Sequence, residues 1–189
     1  MKKTLLAASL LSTLAFNSVA ADYVIDTKGA HASINFKIQH LGYSWLTGRF
    51  NDFNGKFSYD AATPTTSKVN VTINTGSFDS NHADRDKHIK GEDFLHASKY
   101  PEAKFVSTKV EDLGTGKLKI IGDFTLHGVT NSIVIEASKI GEGQDPWKGY
   151  RVGFAGTTRI ALADYGITYN LGPASTYVEL ELQVEGIKQ

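Results

Sequence analysis

Apolar residues return at every second position through most of this chain, and that period belongs to a β-strand with one face in a core. Ala32, Ile34, Phe36 and Ile38 alternate with Ser33, Asn35, Lys37 and Gln39. The rhythm continues in Phe53, Gly55, Phe57 and Tyr59, in Val69, Val71 and Ile73, and in Leu118, Ile120, Gly122, Phe124 and Leu126. It returns in Ile133, Ile135 and Ala137, in Val152, Phe154 and Ile160, and in Val178, Leu180, Leu182 and Val184. Weaker runs lie at Tyr23 to Asp26 and at Phe105 to Val110. Between the runs stand turn signals: Asn54-Gly55, Gly114-Thr115-Gly116, His127-Gly128, Gly141 to Pro146 and Gly172-Pro173. Many short strands with no helical pattern between them predict an all-β antiparallel sandwich or barrel.

One stretch breaks the period. Asn81 to Lys90 reads as a short helix, with Asn81 as its cap, Asp84 three residues on, Asp86 and Lys90 as an acid-to-base pair, and Gly91 as the stop. No internal repeat or linker divides the chain, so residues 21–189 are expected to form one domain.

The start of the chain has a separate purpose. Met1, Lys2 and Lys3 precede an apolar run from Thr4 to Phe16, closed by the small residues Ser18, Val19 and Ala20. This is the pattern of a secretory signal peptide, residues 1–20, with cleavage after Ala20 and Ala21 as the alternative. The run is shorter than the ~20 residues of a membrane-spanning helix, so no stable membrane insertion is expected. Removing 20 of 189 residues leaves 169, enough for a self-sufficient core. Without Lys2 and Lys3 the mature chain carries 18 basic and 20 acidic side chains and no long block of either sign, which gives nucleic acid nothing to bind. The absence of cysteine excludes disulfides, thiol catalysis, thiolate metal sites and a lipoprotein anchor. The expected location is the bacterial periplasm.

Residues that could do chemistry are few. His82, His88 and His96 stand among Asp84, Asp86, Glu92 and Asp93, a ligand-rich composition without ligand spacing, since His82 and His88 face different sides of a helix. No metal is therefore expected. His31, His40 and His127 fall at strand ends or turns, and for His31 and His127 a surface or hydrogen-bonded role is favoured. A Gly-x-Ser-x-Gly elbow, a Walker A loop and a dinucleotide fingerprint are all absent, so neither an enzyme nor a cofactor is expected. A periplasmic enzyme with an unrecognised His or carboxylate site is the alternative. A third class, an outer-membrane barrel, would turn Glu179, Glu181 and Glu185 into a narrow lumen, each needing a cation.

Phe36, Phe53, Phe57, Phe105, Phe124 and Phe154 occupy the buried faces of their strands, with the small residues Ala32, Gly55, Gly122, Ala137 and Gly156 among them. A barrel of eight strands is wide enough either to fill with side chains or to hold one ligand. Composition leaves both open.

Four motifs in order resemble the YceI-like family of bacterial polyisoprenoid-binding proteins. They are Phe36-Lys37-Ile38-Gln39-His40-Leu41-Gly42-Tyr43-Ser44-Trp45 with Gly48-Arg49-Phe50; Asp84-Arg85-Asp86-Lys87-His88-Ile89 leading to Asp93-Phe94-Leu95 and Tyr100-Pro101; Gly122-Asp123-Phe124-Thr125-Leu126-His127-Gly128-Val129-Thr130; and Asp164-Tyr165-Gly166-Ile167. The resemblance implies an extended eight-stranded antiparallel barrel, lipocalin-like, with an apolar tunnel for an isoprenoid lipid or quinone and no catalytic residue set. On the strand faces read above, the tunnel is expected to be lined by Phe36, Phe53, Phe57, Ile73, Phe105, Phe124, Phe154 and Leu180. The helix would lie at the mouth, with Arg85 and His88 toward the ligand's head group.

Overall fold

The computed structural model describes residues 20–169 and 171–189; the expected signal peptide, residues 1–20, lies outside them but for Ala20. In chain order the strands are β1 (Ala21–Ile25), β2 (Ser33–His40), β3 (Ser44–Phe50), β4 (Phe53–Tyr59), β5 (Lys68–Asn74) and β6 (Phe78–Asp79). A helix α1 (Ala83–Ile89) follows, then β7 (Glu102–Gly114), β8 (Lys117–Leu126), β9 (Val129–Gln144), β10 (Tyr150–Ala161) and β11 (Tyr177–Lys188).

All of these strands join one antiparallel sheet, and eight of them close on themselves in the order β1-β4-β5-β7-β8-β9-β10-β11 and back to β1. Closure leaves those ladders with no open edge. Beside β1 on the same edge of β11 lies β2, which carries β3 and then β6. One edge of β11 is thus shared: Gly186 to Lys188 pair with β1, and Glu179 to Gln183 pair with β2. Three positions around the barrel are consequently broken strands, β1 with β2, β3 with β4 and β5 with β6. The other five, β7 to β11, run unbroken for 10 to 16 residues.

Local sequence explains the turns. Thr115-Gly116 joins β7 to β8 and His127-Gly128 joins β8 to β9, each with two left-handed residues (φ 52° and 77° in both). Two-residue loops with both φ positive match the twist of the flanking strands. One turn signal, Asn54-Gly55, is not a turn, and another, Gly141 to Pro146, is one only at its end. Asn54-Gly55 lies inside β4, where a side chain on Gly55 would stand 2.8 Å from the Asn70 carbonyl oxygen and from Ile25. Gly141 to Gln144 continues β9, and the chain reverses only at residues 145–149, where the Asp145 carboxylate accepts from the Trp147 and Gly149 amides.

The helix is shorter than Asn81 to Lys90, and its cap is not Asn81. Asn81 sits at φ 61°, while the His82 ring accepts from the Arg85 amide. The Asp86 carboxylate turns away from Lys90 to accept from the Ser80 amide at 2.9 Å and from the Ser80 hydroxyl.

Candidate functional site

The alternation points inward. Leu180 and Leu182 face the interior, while Glu179 and Glu181 between them meet Lys37 on the outside (3.1 and 3.0 Å). Both partners hold the Lys37 ammonium above its usual range, Glu181 foremost. This is the opposite polarity to an outer-membrane barrel, whose apolar face turns to lipid.

The interior encloses two apolar lobes that meet at Ile34, Ile73, Phe124 and Leu180. The near lobe, about 310 Å³, is walled by β2, β3 and β6 through Phe36, Leu46 and Phe78, and on its open side by Ile89, Phe94 and Leu95. The far lobe, about 120 Å³, is walled by β1, β4 and β5 through Ile25, Phe57 and Val71, and by Phe105 and Phe154. The strand breaks therefore coincide with the division between the lobes. All eight residues expected to line a tunnel lie against this interior. Phe36 faces the near lobe; Phe53, Phe57, Phe105 and Phe154 face the far lobe; Ile73, Phe124 and Leu180 stand between.

Glycines keep the rings off the axis. Phe36 lies over Gly48, its direct partner on β3, where an added Cβ would stand 2.5 Å from the ring. Phe105 covers Gly122 in the same way, also at 2.5 Å, and Phe57 covers Gly186. A ring that reaches into the space a neighbouring glycine leaves free occupies wall rather than lumen. Gly122 was legible as a small residue, but the pairing of ring with glycine depends on register and is visible only in the fold.

The mouth belongs to the near lobe. Its lining includes His40, Leu41 and His88, all exposed, whereas every residue lining the far lobe is at least half-buried. On this side β6 pairs only with β3 among the described residues, and the wall is completed by α1 and residues 91–101. Thr75, fully buried, fixes that patch: its hydroxyl donates to the Tyr100 carbonyl at 2.7 Å and its amide to the Pro101 carbonyl at 3.0 Å.

Arg85 and His88 both reach the near lobe. The Arg85 Nε donates to the Ser80 hydroxyl (2.7 Å) and Nη2 to the Ser80 carbonyl (2.6 Å), and Ser80 passes the bond to Asp86. This fixes the guanidinium without neutralising it, since no carboxylate pairs directly with Arg85 among the described residues. Among the described residues Nη1 makes no hydrogen bond, which leaves it available to an acceptor. The His88 ring stands edge-on to Phe94 and Tyr169 and meets Asp93 at 3.3 Å. Sequence reasoning missed Gln39, His40, Leu41 and Ser175 at the same mouth, where the Ser175 hydroxyl donates to the Gln39 carbonyl at 2.6 Å.

The histidines of the helical region are not brought together as ligands: His82 caps α1, His88 meets Asp93, and His96 packs on Tyr100 and His127. Among the described residues only Asp26, His31 and Glu185 cluster closely enough to share an ion. A cation already holds that place. The Arg151 guanidinium reaches Asp26 at 2.7 Å, Glu185 at 2.5 Å and Asp145 at 2.9 Å. Asp26 is buried, and the Arg151 contact, aided by His31 and the Gly29 amide, holds its carboxyl well below the usual carboxylate range. His127, expected in a surface or hydrogen-bonded role, contacts the Tyr165 carbonyl through Nδ1 at 3.0 Å.

A closed eight-stranded barrel with an apolar interior and one helical patch is the architecture that the four motifs implied. The model of the YceI-like domain matches residues 23–186. The chain belongs to that family. It is 62% identical over its full length to a UPF0312 protein of Shewanella putrefaciens, covering all of that protein as well, and to another from Shewanella sp. strain ANA-3 over the same extent. Among solved structures it resembles the YceI protein of Campylobacter jejuni at 28% identity, covering 80% of this chain and 90% of the other with a TM-score of 0.73. The fold is also that of BcnA from Burkholderia cenocepacia (19% identity, 85% and 98% covered, TM-score 0.76). A polyisoprenoid binding domain from Saccharophagus degradans shares it as well (17% identity, 90% and 100% covered, TM-score 0.65). The YceI-like barrel is thus common to chains with little sequence in common.

Proposed function

We propose that this YceI-like protein is a periplasmic lipid-binding protein that holds an isoprenoid chain, of a polyprenyl phosphate or an isoprenoid quinone, inside its barrel as carrier or reservoir. The observation that carries the reading is the two-lobed apolar interior, whose near lobe is rimmed by exposed residues. A near lobe of about 310 Å³ falls within the roughly 300–1,000 Å³ of small-molecule sites, and burying a hydrocarbon there gains ~0.8 kcal/mol per CH₂ before ordering costs. The Saccharophagus degradans neighbour supports the choice of ligand class, being a polyisoprenoid binding domain of the same fold. Export through the leader fits as well, because cleavage after Ala20 leaves the whole of β1, starting at Ala21, to pair with β4 and β11.

The test is native mass spectrometry of the protein purified from its own periplasm, followed by solvent extraction. An isoprenoid mass released by extraction is the expected result. Protein that carries no adduct and takes up no polyprenol from detergent micelles would refute the reading. For the head group, Arg85→Ala is expected to weaken polyprenyl phosphate by about tenfold while leaving the uncharged prenol unchanged, since a charge-assisted bond contributes about 1.5 kcal/mol or more. Equal effects on both ligands would remove Arg85 from head-group recognition.

A further inference from the structure

Two segments at the mouth carry no charge. Residues 38–46 and 171–177 contain no Asp, Glu, Lys or Arg, in a chain that is 21% charged. The fold sets them face to face: a Cβ on Gly172 would stand 3.7 Å from Leu41, and one on Gly42 would stand 3.7 Å from Ala174. Around this junction Leu41, Tyr43, Trp45 and Tyr169 are exposed, at 51%, 86%, 53% and 47%. Leu41 is also part of the cavity lining, so the apolar surface outside is continuous with the apolar surface inside.

We infer that this uncharged collar is a docking surface for a lipid bilayer, on which the protein rests while an isoprenoid chain passes between membrane and cavity. The inference rests on the lipid-binding reading above. Two arguments select a bilayer over other apolar partners. A chain that gains ~0.8 kcal/mol per CH₂ on leaving water loses as much on entering it, so a mouth pressed against the bilayer spares the ligand an aqueous crossing. Tyr and Trp, with an apolar body and a polar tip, suit the headgroup boundary, and the groups that flank the collar from other strands include cations that lipid phosphate would pair, Lys37 over Trp45 at 5.4 Å and Arg159 over Tyr177 at 4.2 Å. Arg85, just inside the mouth and unpaired with any carboxylate among the described residues, adds attraction for lipid phosphate.

The far end is a natural control. Leu113, Ile140 and Trp147 are exposed there too, yet none of them lines either lobe, and they alternate with charged neighbours: Glu111 and Asp112, Lys139 and Glu142, Asp145 and Lys148. The two tryptophans of the chain therefore report on opposite ends. Contact would be peripheral, as on an interfacial surface, and not a span.

The experiment uses Trp147→Phe and Trp45→Phe, each leaving one tryptophan, with vesicles of phosphatidylethanolamine and phosphatidylglycerol carrying brominated acyl chains. Trp45 emission is expected to shift to the blue and be quenched, with Trp147 unaffected. Tyr43→Asp is expected to lower the vesicle-bound fraction by about tenfold while leaving polyprenol uptake from detergent micelles intact. Quenching of Trp147 as strong as that of Trp45, or no effect of Tyr43→Asp, would overturn the proposal. So would an unquenched Trp45 whose emission shifts only as the protein is concentrated, which would give the collar to a second copy of this chain. If Trp45 is quenched but the wild-type protein takes up no prenol from micelles, docking stands and the cavity reading falls.

Discussion

The two lobes of the barrel are built from the same residue types and closed by different means. The far lobe is sealed by continuous hydrogen-bonded ladders, β1 to β4 to β5 to β7, with Tyr23 stacked on Phe57 at 5.0 Å and Tyr59 edge-on to Phe154 at 5.1 Å. The near lobe is sealed where the ladder stops, by a helix of seven residues and the irregular segments around Phe94 and Leu171. Ladder pairing makes opening cooperative, whereas a patch held by a few bonds such as Thr75 to Tyr100 can open locally. On the proposed reading, access would fall to the near end and retention to the far one, and each can be perturbed separately.

The largest expected effect comes from a charge placed between the lobes. Phe124 is 5% exposed and faces both cavities, so Phe124→Asp would bury a carboxylate with no cation near it, at a cost of about 5 kcal/mol or a shift to the protonated form. Loss of co-purifying lipid and a sharply lowered denaturation midpoint are expected. Leu41→Asp, the same charge at the exposed rim, is expected to change stability by no more than about 0.5 kcal/mol. Equal effects would erase the distinction between sealed and open ends.

A second comparison concerns what pins the wall. Asp26, at the break between β1 and β2, meets Arg151 of β10 and His31, so Asp26→Asn should cost about 3 kcal/mol at neutral pH. Because the folded carboxyl is held below its ordinary range, its contribution is full above the unfolded value near ~4 and is lost as pH falls toward the folded one. Thermal denaturation followed from pH 7 down to pH 2 should show a loss that steepens below about pH 4 in the wild type and is shallower in Asp26→Asn. Parallel slopes would mean that this contact does not set the acid limit.

The smallest effect distinguishes wall from lumen. In Gly122→Ala the new methyl meets the Phe105 ring and the Val106 carbonyl oxygen, both at 2.5 Å, so the ring has to leave its seat and enter the far lobe. A cost of about 2 kcal/mol is expected, with binding of long prenols weakened more than that of short ones. Gly141→Ala on β9, with nothing within 4 Å, should be silent in both assays. A Gly122→Ala variant with an unchanged length profile would mean that the far lobe does not receive the chain's end.

Unbroken strands with one face in the core were plain in the sequence: Leu118 to Leu126 and Val178 to Val184 alternate without interruption and became β8 and β11. The broken positions were harder. Ser44–Phe50 has no fully buried residue, because it walls the open end, and it did not read as a strand. Asn54-Gly55 looked like a turn because a glycine demanded by a close Asn70 carbonyl is indistinguishable from one demanded by positive φ. The inward residues of the candidate site followed from parity alone, and Arg85 and His88 from the break in period. Asp26 and Arg151, 125 positions apart, could not be joined without the register of β11 between them. The collar left a trace that composition averaged away: two short stretches free of charge.

The coincidence of strand breaks with the division between lobes separates two kinds of selectivity. On the proposed reading, residues of β1, β4 and β5 would set the depth available to a hydrocarbon tail, and residues of β2, β3, β6 and α1 would set what meets its polar terminus. Each group can vary while the other stays fixed, as with a socket whose barrel and collar are machined independently. If the proposed ligand is the right one, variants on this plan would change tail length without losing head-group preference, and would exchange head groups without repacking the deep end.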